Sequence, residues 1–253
     1  VSMIANYTLP VLTSQQSHVG TSYVPTWVWY DRSMELYHVI NRGVDGRKIF
    51  LDSQDYARFV HDLYEFNDVA PAREFLGTGT HGMSGRTTSR HRLVDIHGWT
   101  LMGNHFHLLL SELVDEGITM FLRKLSGYAR YFNERHGRRG TLFQGRTKKV
   151  LVDRNAHFLY VLNYLHANPL DYLRGARRWR ERDKGAISDV KKALAYLEKY
   201  RWSSYLDYIG TPNFKSILTK TLYGSVFTDY AHEFSEFLYD RSCEDVDVLT
   251  LEY

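Results

Sequence analysis

Apolar positions along the chain follow two periods, and the switches between them outline the fold. Leu36-Tyr-His-Val-Ile-Asn-Arg-Gly43 is rich in β-formers and closed by glycine, which predicts a first strand. After an Asp45-Gly46 turn, Tyr56, Phe59, Val60, Leu63 and Phe66 recur at three- and four-residue spacing, as an amphipathic helix requires, with Ser53 as its expected cap. Residues 67–92 are rich in Gly, Ser, Thr and Arg and read as a long loop of the kind that is either functional or disordered. A second strand is expected over Leu93–Met102, then a tight Gly103-Asn104 turn and a third strand over His105–Ser111. Ile118 to about His136 reads as one amphipathic helix, with Phe121, Leu122, Leu125, Tyr128, Ala129 and Phe132 on its apolar side. Gly137-Arg-Arg-Gly140 ends it, and the loop Thr141–Arg146 leads to a fourth strand over Lys148–Val152.

Residues 34–153 thus read β-α-β-β-α-β. That order predicts an α+β, ferredoxin-like sandwich: one antiparallel sheet with helices on one face. A third helix, Ala156–Asn168, follows, capped by Asp153 or Asn155 and stopped by Pro169. Beyond it come an Arg-rich loop (Arg174–Arg182), a short helix near Ile187–Glu198, the stretch Trp202-Ser-Ser-Tyr205 and an aromatic helix near Phe227–Tyr239. The expected division is a loose leader over 1–33, a main domain over 34–170 and a mostly helical extension over 171–253. No internal repeat is visible.

Composition adds the setting. Hydrophobic residues at 43% and charged residues at 24% are ordinary for a globular protein, whereas 19 tyrosines and 12 histidines stand out. The net charge of +3 is modest, but its distribution is uneven. Between Phe121 and Arg182 fifteen Lys and Arg face only Glu134, Asp153, Asp171 and Glu181, while the stretch from Asp229 to Glu252 is acidic. A basic middle of this kind suits a polyanion, most often nucleic acid. Cys243 is the only cysteine, so no intrachain disulfide forms and the reducing cytoplasm is the expected compartment. No run of about 18 apolar residues is present to span a membrane, and Val1-Ser-Met-Ile-Ala-Asn lacks the basic and apolar regions of a signal peptide.

The candidate chemistry centres on Asn104-His-Phe-His107. On a strand, residues two apart share a face, so His105 and His107 project together while Phe106 points into the opposite packing. Two adjacent imidazoles suit a divalent metal, although the motif alone is weak and buried histidines also serve as core residues. The third predicted helix carries Tyr164 and Asn168 four apart on one face, with Tyr160 and His157 on adjoining faces as lesser candidates. A tyrosine hydroxyl can attack a phosphodiester if the developing charge is stabilised, and a metal held by two histidines and an amide oxygen supplies that. Against this, most of the 19 tyrosines must be packing residues, and an Asn before a proline is a common helix terminus.

Five segments, in order, resemble the single-tyrosine HUH transposases, in particular the REP-associated tyrosine transposase type: Tyr37–Gly43, Asn104–Leu110, Gly140–Arg146, Tyr164–Pro169 and Trp202–Tyr205. The resemblance covers roughly residues 34–208. It implies that His105 and His107 bind a divalent metal, Mg²⁺ or Mn²⁺, with Asn168 as the third ligand. It implies also that Tyr164 is the nucleophile that becomes 5′-phosphotyrosyl-linked to single-stranded DNA at hairpin-forming ends. Arg42, Arg138, Arg139, Gln144, Arg146, Lys148 and Lys149 are the expected DNA contacts. The family's dimeric habit makes a homodimer an expectation, with the nucleophile in cis or in trans. Gly103 departs from the proline common in the family, and the insertion near 75–92 and the tail beyond Gly210 are less familiar parts of the pattern, with roles left open. Two alternatives stand beside this reading: a repressor or domesticated DNA-binding protein on the same fold with its chemistry unused, and an RNA-binding ferredoxin-like domain. The last normally shows aromatic residues, not imidazoles, on its sheet.

Overall fold

The computed structural model describes residues 34–71, 90–153, 155–181 and 186–239. The leader, most of the Gly/Ser/Thr-rich stretch, Arg182, Cys243 and most of the acidic tail therefore lie outside the described residues. Four strands, β1 (Leu36–Arg42), β2 (Val94–Met102), β3 (His105–Glu112) and β4 (Lys148–Leu151), form one sheet in the order β2-β3-β1-β4, with every neighbouring pair antiparallel. With α1 (Ser53–Glu65), α2 (Gly117–Leu125) and α3 (Tyr128–Arg135) between them, this is the α+β arrangement the element order predicts. The chain continues through α4 (Asn155–Ala167), 3-10 turns at Asn168–Tyr172 and Trp179–Glu181, α5 (Val190–Leu197), single turns α6 (Tyr205–Tyr208) and α7 (Thr221–Gly224), and α8 (Tyr230–Tyr239).

Strand alternation sorts the core into two. Val39, Phe106, Leu108 and Leu110 pack on one face against Phe59, Leu63, Phe121 and Phe132 of α1–α3. Leu36 and Leu109 point to the other face, where α4, α5 and α8 supply Val161, Leu165, Val190 and Phe234. The extension thus shares a core with α4. A register shift between Ile96 and Gly98 keeps Trp99 and Leu101 on the α1–α3 face despite the extra residue. Gly98 lies under α4, where a Cβ would come within 2.8 Å of the Leu162 side chain.

Three local details differ from expectation. Asp52, not Ser53, caps α1: its carboxylate accepts from the amides of Gln54 and Asp55 at 2.9 and 3.2 Å. The expected helix over 118–136 is two, because the Gly127 amide turns to the Lys124 carbonyl at 2.9 Å, a three-residue step that bends the rod over the sheet. The helix expected to end at Asn168 ends at Ala167, and Asn168 opens the 3-10 turn. At the start of α2, a Cβ on Gly117 would lie 2.3 Å from the Leu93 carbonyl oxygen, which backbone pairing holds in place. Gly117→Ala is therefore expected to destabilise the fold by about 2–3 kcal/mol, read as a lower urea midpoint with an unchanged slope.

Candidate functional site

β3 presents His105 and His107 to the α4 face, and register brings β1 alongside: Arg42 pairs with His105 and Ile40 with His107. On the same face as Ile40 and Arg42 stands His38, whose Nε2 lies 2.9 Å from His107 Nδ1, the two rings stacked at 5.1 Å. Nothing local in the sequence marks His38 as a site residue beyond its even spacing from Arg42 on the strand, and only strand pairing brings it to His107. The ring centroids of His105 and His107 are 4.9 Å apart.

Tyr164 comes down onto these rings from α4. Its ring meets His107 edge-on at 5.8 Å and His38 at 6.2 Å, with Tyr160 stacked behind it at 6.0 Å. The tyrosine is fully enclosed, as its 0% exposure shows, so its ring belongs to the interface between sheet and helix. Asn168 is also fully buried. Its Nδ2 donates to the Tyr164 carbonyl at 2.8 Å, and its Oδ1 accepts from Arg180 Nη2 at 2.7 Å. Among the described residues of the 174–182 run, Arg180 is thereby the arginine that reaches this place. Its guanidinium also donates to Asp171, lies 4.4 Å over Trp179 and 5.7 Å from the Tyr164 ring centre.

A cavity of about 150 Å³ opens beside the histidines, lined by Ile40, Arg42, His105, His107, Asp171 and Arg180. Every imidazole here is neutral at pH 7. Burial pushes His105 down to about 3, assisted by the charges of Arg42 and Arg180, and His38 to about 3, assisted by His157. His107 is held well below its ordinary value, first by burial and then by His105, His38 and the two arginines. The tautomers follow from the partners. Asn104 Oδ1, 2.6 Å from His105 Nδ1, fits a proton on that nitrogen and leaves Nε2 with its lone pair. His107 Nε2 is buried without a hydrogen-bond partner. A lone pair on that atom requires Nδ1–H to donate to His38 Nε2, the kind of outer contact that orients a metal-binding imidazole. The histidine pair therefore fits a divalent cation in protonation, with the two ring centroids 4.9 Å apart on one strand face. A third position is less well supplied: among the described residues no three His, Cys, Asp or Glu gather as a metal group, and the Asn168 oxygen already accepts from Arg180.

The expected DNA contacts divide between two faces. Arg42 stands at the cavity with the histidines. Arg146 and Lys149 instead line a hollow of about 340 Å³ on the opposite face, with Asn41, Phe106 and Phe143. Gln144 and Lys148 are exposed, with the Gln144 amide bonded to the Arg42 carbonyl at 2.7 Å. Arg138 is tied to Asn133 Oδ1 at 2.8 Å, and Arg139 is exposed. Trp202-Ser-Ser-Tyr205 runs along the outer edge of β2, where Ser204 Oγ accepts from the Trp99 amide and pairs with His166 Nε2 of α4. At Gly103 the amide donates to Tyr172 Oη at 2.6 Å, a bond a proline could not make.

No protein-family model and no curated protein matches the chain. A solved structure does. It is described as the REP-associated tyrosine transposase bound to a REP hairpin, is 11% identical, and aligns over 71% of this chain and 83% of its own with a TM-score of 0.42. That likeness is too slight to carry weight for the chemistry, which rests on the geometry above. No helix among the described residues is long and apolar enough to cross a membrane.

Proposed function

We propose that this chain is a metal-dependent nuclease and strand transferase for single-stranded DNA, with Tyr164 as the nucleophile. The observation that carries the reading is the meeting of a tyrosine from α4 with a pair of neutral imidazoles from β3, at 5.8 Å between the rings of Tyr164 and His107. In the cleavage step the Tyr164 oxygen bonds to the scissile phosphorus, the phosphorus–3′-oxygen bond breaks, and the departing 3′-oxygen takes a proton. The phenolic proton leaves to solvent or to a neutral imidazole. The product is a 5′-phosphotyrosyl linkage and a free 3′-hydroxyl, which strand transfer reverses on a second end. His105 and His107 would hold Mg²⁺ or Mn²⁺, which supplies Lewis-acid stabilisation of charge on the phosphate. Asn168 joins them only if Arg180 releases its oxygen, and the enclosed Tyr164 reaches a phosphate only if α4 shifts on the sheet. Hairpin-forming DNA ends are the proposed substrate, with a homodimer as the proposed assembly and the cytoplasm as its place of work. The basic surfaces around Arg138, Arg139, Gln144, Arg146, Lys148 and Lys149 would hold the flanking strands.

A second reading, a DNA-binding protein with unused chemistry, is favoured by the engaged Asn168 oxygen and the enclosed Tyr164. A denaturing gel of the full chain with labelled hairpin oligonucleotide and Mn²⁺ separates the two: a covalent adduct lost on chelation supports the enzyme, and binding without adduct supports the binder. His38 offers a finer check. His38→Phe keeps a ring in the stack but removes the nitrogen facing His107, and is expected to weaken Mn²⁺ binding by about 10- to 100-fold with little change in melting temperature. Unchanged Mn²⁺ affinity, read by the free-ion resonance signal, would reduce His38 to packing.

A further inference from the structure

We propose that the cavity beside the histidines is a seat for a phosphate anion, gripped from the sheet by Arg42 and from the opposite wall by Arg180. This rests on the reading above and places the substrate's reacting group. The volume of about 150 Å³ holds about five waters at roughly 30 Å³ each, the room that the four oxygens of a phosphate need. The walls carry two guanidinium groups against the single carboxylate of Asp171. That carboxylate is already answered, because Asp171 Oδ1 accepts from Trp179 Nε1 at 2.9 Å and from Arg180. Arg180 pairs with Asp171, whereas Arg42 enters no ion pair among the described residues. The uncompensated charge at the cavity is positive, which selects an anion over a free cation.

Two further features fit an oxyanion. Arg180 is set before any ligand arrives: its planar group lies over Trp179 and is fixed by Asn168 and Asp171, so little side-chain freedom is lost on binding. His107, whose buried Nε2 has no hydrogen-bond partner within the protein, is a lining residue of the same cavity. The arrangement suits a monoanionic diester, whose two unesterified oxygens match one guanidinium from each side.

The probe is inorganic phosphate, titrated into the full chain and followed by ³¹P line broadening and calorimetry. Arg180→Gln and Arg42→Gln are each expected to weaken phosphate binding about tenfold or more, and Arg180→Lys less than Arg180→Gln. Lys191→Gln, exposed on α5 away from the cavity, is expected to leave it unchanged. Arg42 is exposed at a strand end, so its variant keeps the test standing if Arg180→Gln fails to fold. Phosphate that does not bind the wild type at tens of millimolar, or binds both glutamine variants equally well, overturns the seat. Phosphate binding lost in the variants, with no adduct formed by the wild type, upholds the seat and retires the nuclease. Adduct formation with phosphate affinity indifferent to both arginines does the reverse.

Discussion

Tyr164→Phe is expected to abolish the covalent protein–DNA adduct and to lower strand cleavage by roughly 10³-fold or more, while hairpin binding changes less than about threefold. The asymmetry follows from where the residue sits. Its ring is fully enclosed and meets His38, His107, Tyr160 and Trp179, and phenylalanine keeps all of those contacts. Only the hydroxyl is removed, so a lost adduct with an unaltered melting curve assigns the chemistry to that oxygen. Tyr160→Phe is the companion, since Tyr160 is the neighbour on the same helix and stacks on Tyr164. Adduct retained in Tyr164→Phe and lost in Tyr160→Phe would move the nucleophile by one turn. Adduct retained in both would remove α4 from the chemistry altogether.

The fold itself is expected to unfold cooperatively in mild acid, near about pH 5. Burial holds His38, His105 and His166 to about 3 and His97 to about 4, and His107 well below its ordinary value. Unfolded, each would take a proton near pH 6.5. Above that value neither state binds the proton and stability is flat. Below it the unfolded chain binds protons that the folded chain refuses, so stability falls with pH until the folded values near 3–4 are reached. Each histidine contributes up to about 1.4 kcal/mol per pH unit across that window, and five together approach about 7 kcal/mol per unit, against a total stability of about 5–15 kcal/mol for a typical domain. Urea midpoints between pH 7.5 and 5 give the slope directly, as a count of protons taken up. A midpoint unchanged down to pH 4.5 would mean that the imidazoles are hydrated in solution. Asp52, held to about 2 chiefly by its bond to Arg135, contributes stability that is lost as pH falls from about 4 toward 2, below the range over which these midpoints are read.

Much of this was legible along the chain. Period-two and period-3.6 patterns mark the four strands, α1 and α4 to within a residue or two and the starts of α5 and α8 to within three, because burial of alternate or every third and fourth side chain is a local demand of each element. The same alternation assigns Phe106 to one core and His105 and His107 to the opposite face. The aromatic and glycine punctuation around residues 103 and 137–145 likewise places the turns. Where boundaries slipped, at Asp52 and at the break between α2 and α3, the competing choices differ by one or two hydrogen bonds and propensity alone does not separate them.

The constellation was not legible in full, because its members belong to segments whose approach no local pattern encodes. His38 acquires its place only when β1 pairs with β3, so that a residue 69 positions away in sequence lies 2.9 Å from His107. Arg180 is one of several arginines in a basic run until the turn after α4 folds back and brings it to Asn168 and Asp171. Arg146 and Lys149 are neighbours of the site in sequence but line a hollow on the other side of the sheet, with Phe106 of the core beneath them. The residues alone therefore determined which elements form and which side chains share a strand face, since those follow from periodicity. Which faces meet, and hence that His38 and Arg180 join the histidine pair while Arg146 and Lys149 do not, was decided by strand register and by the docking of α4, both set by long-range burial.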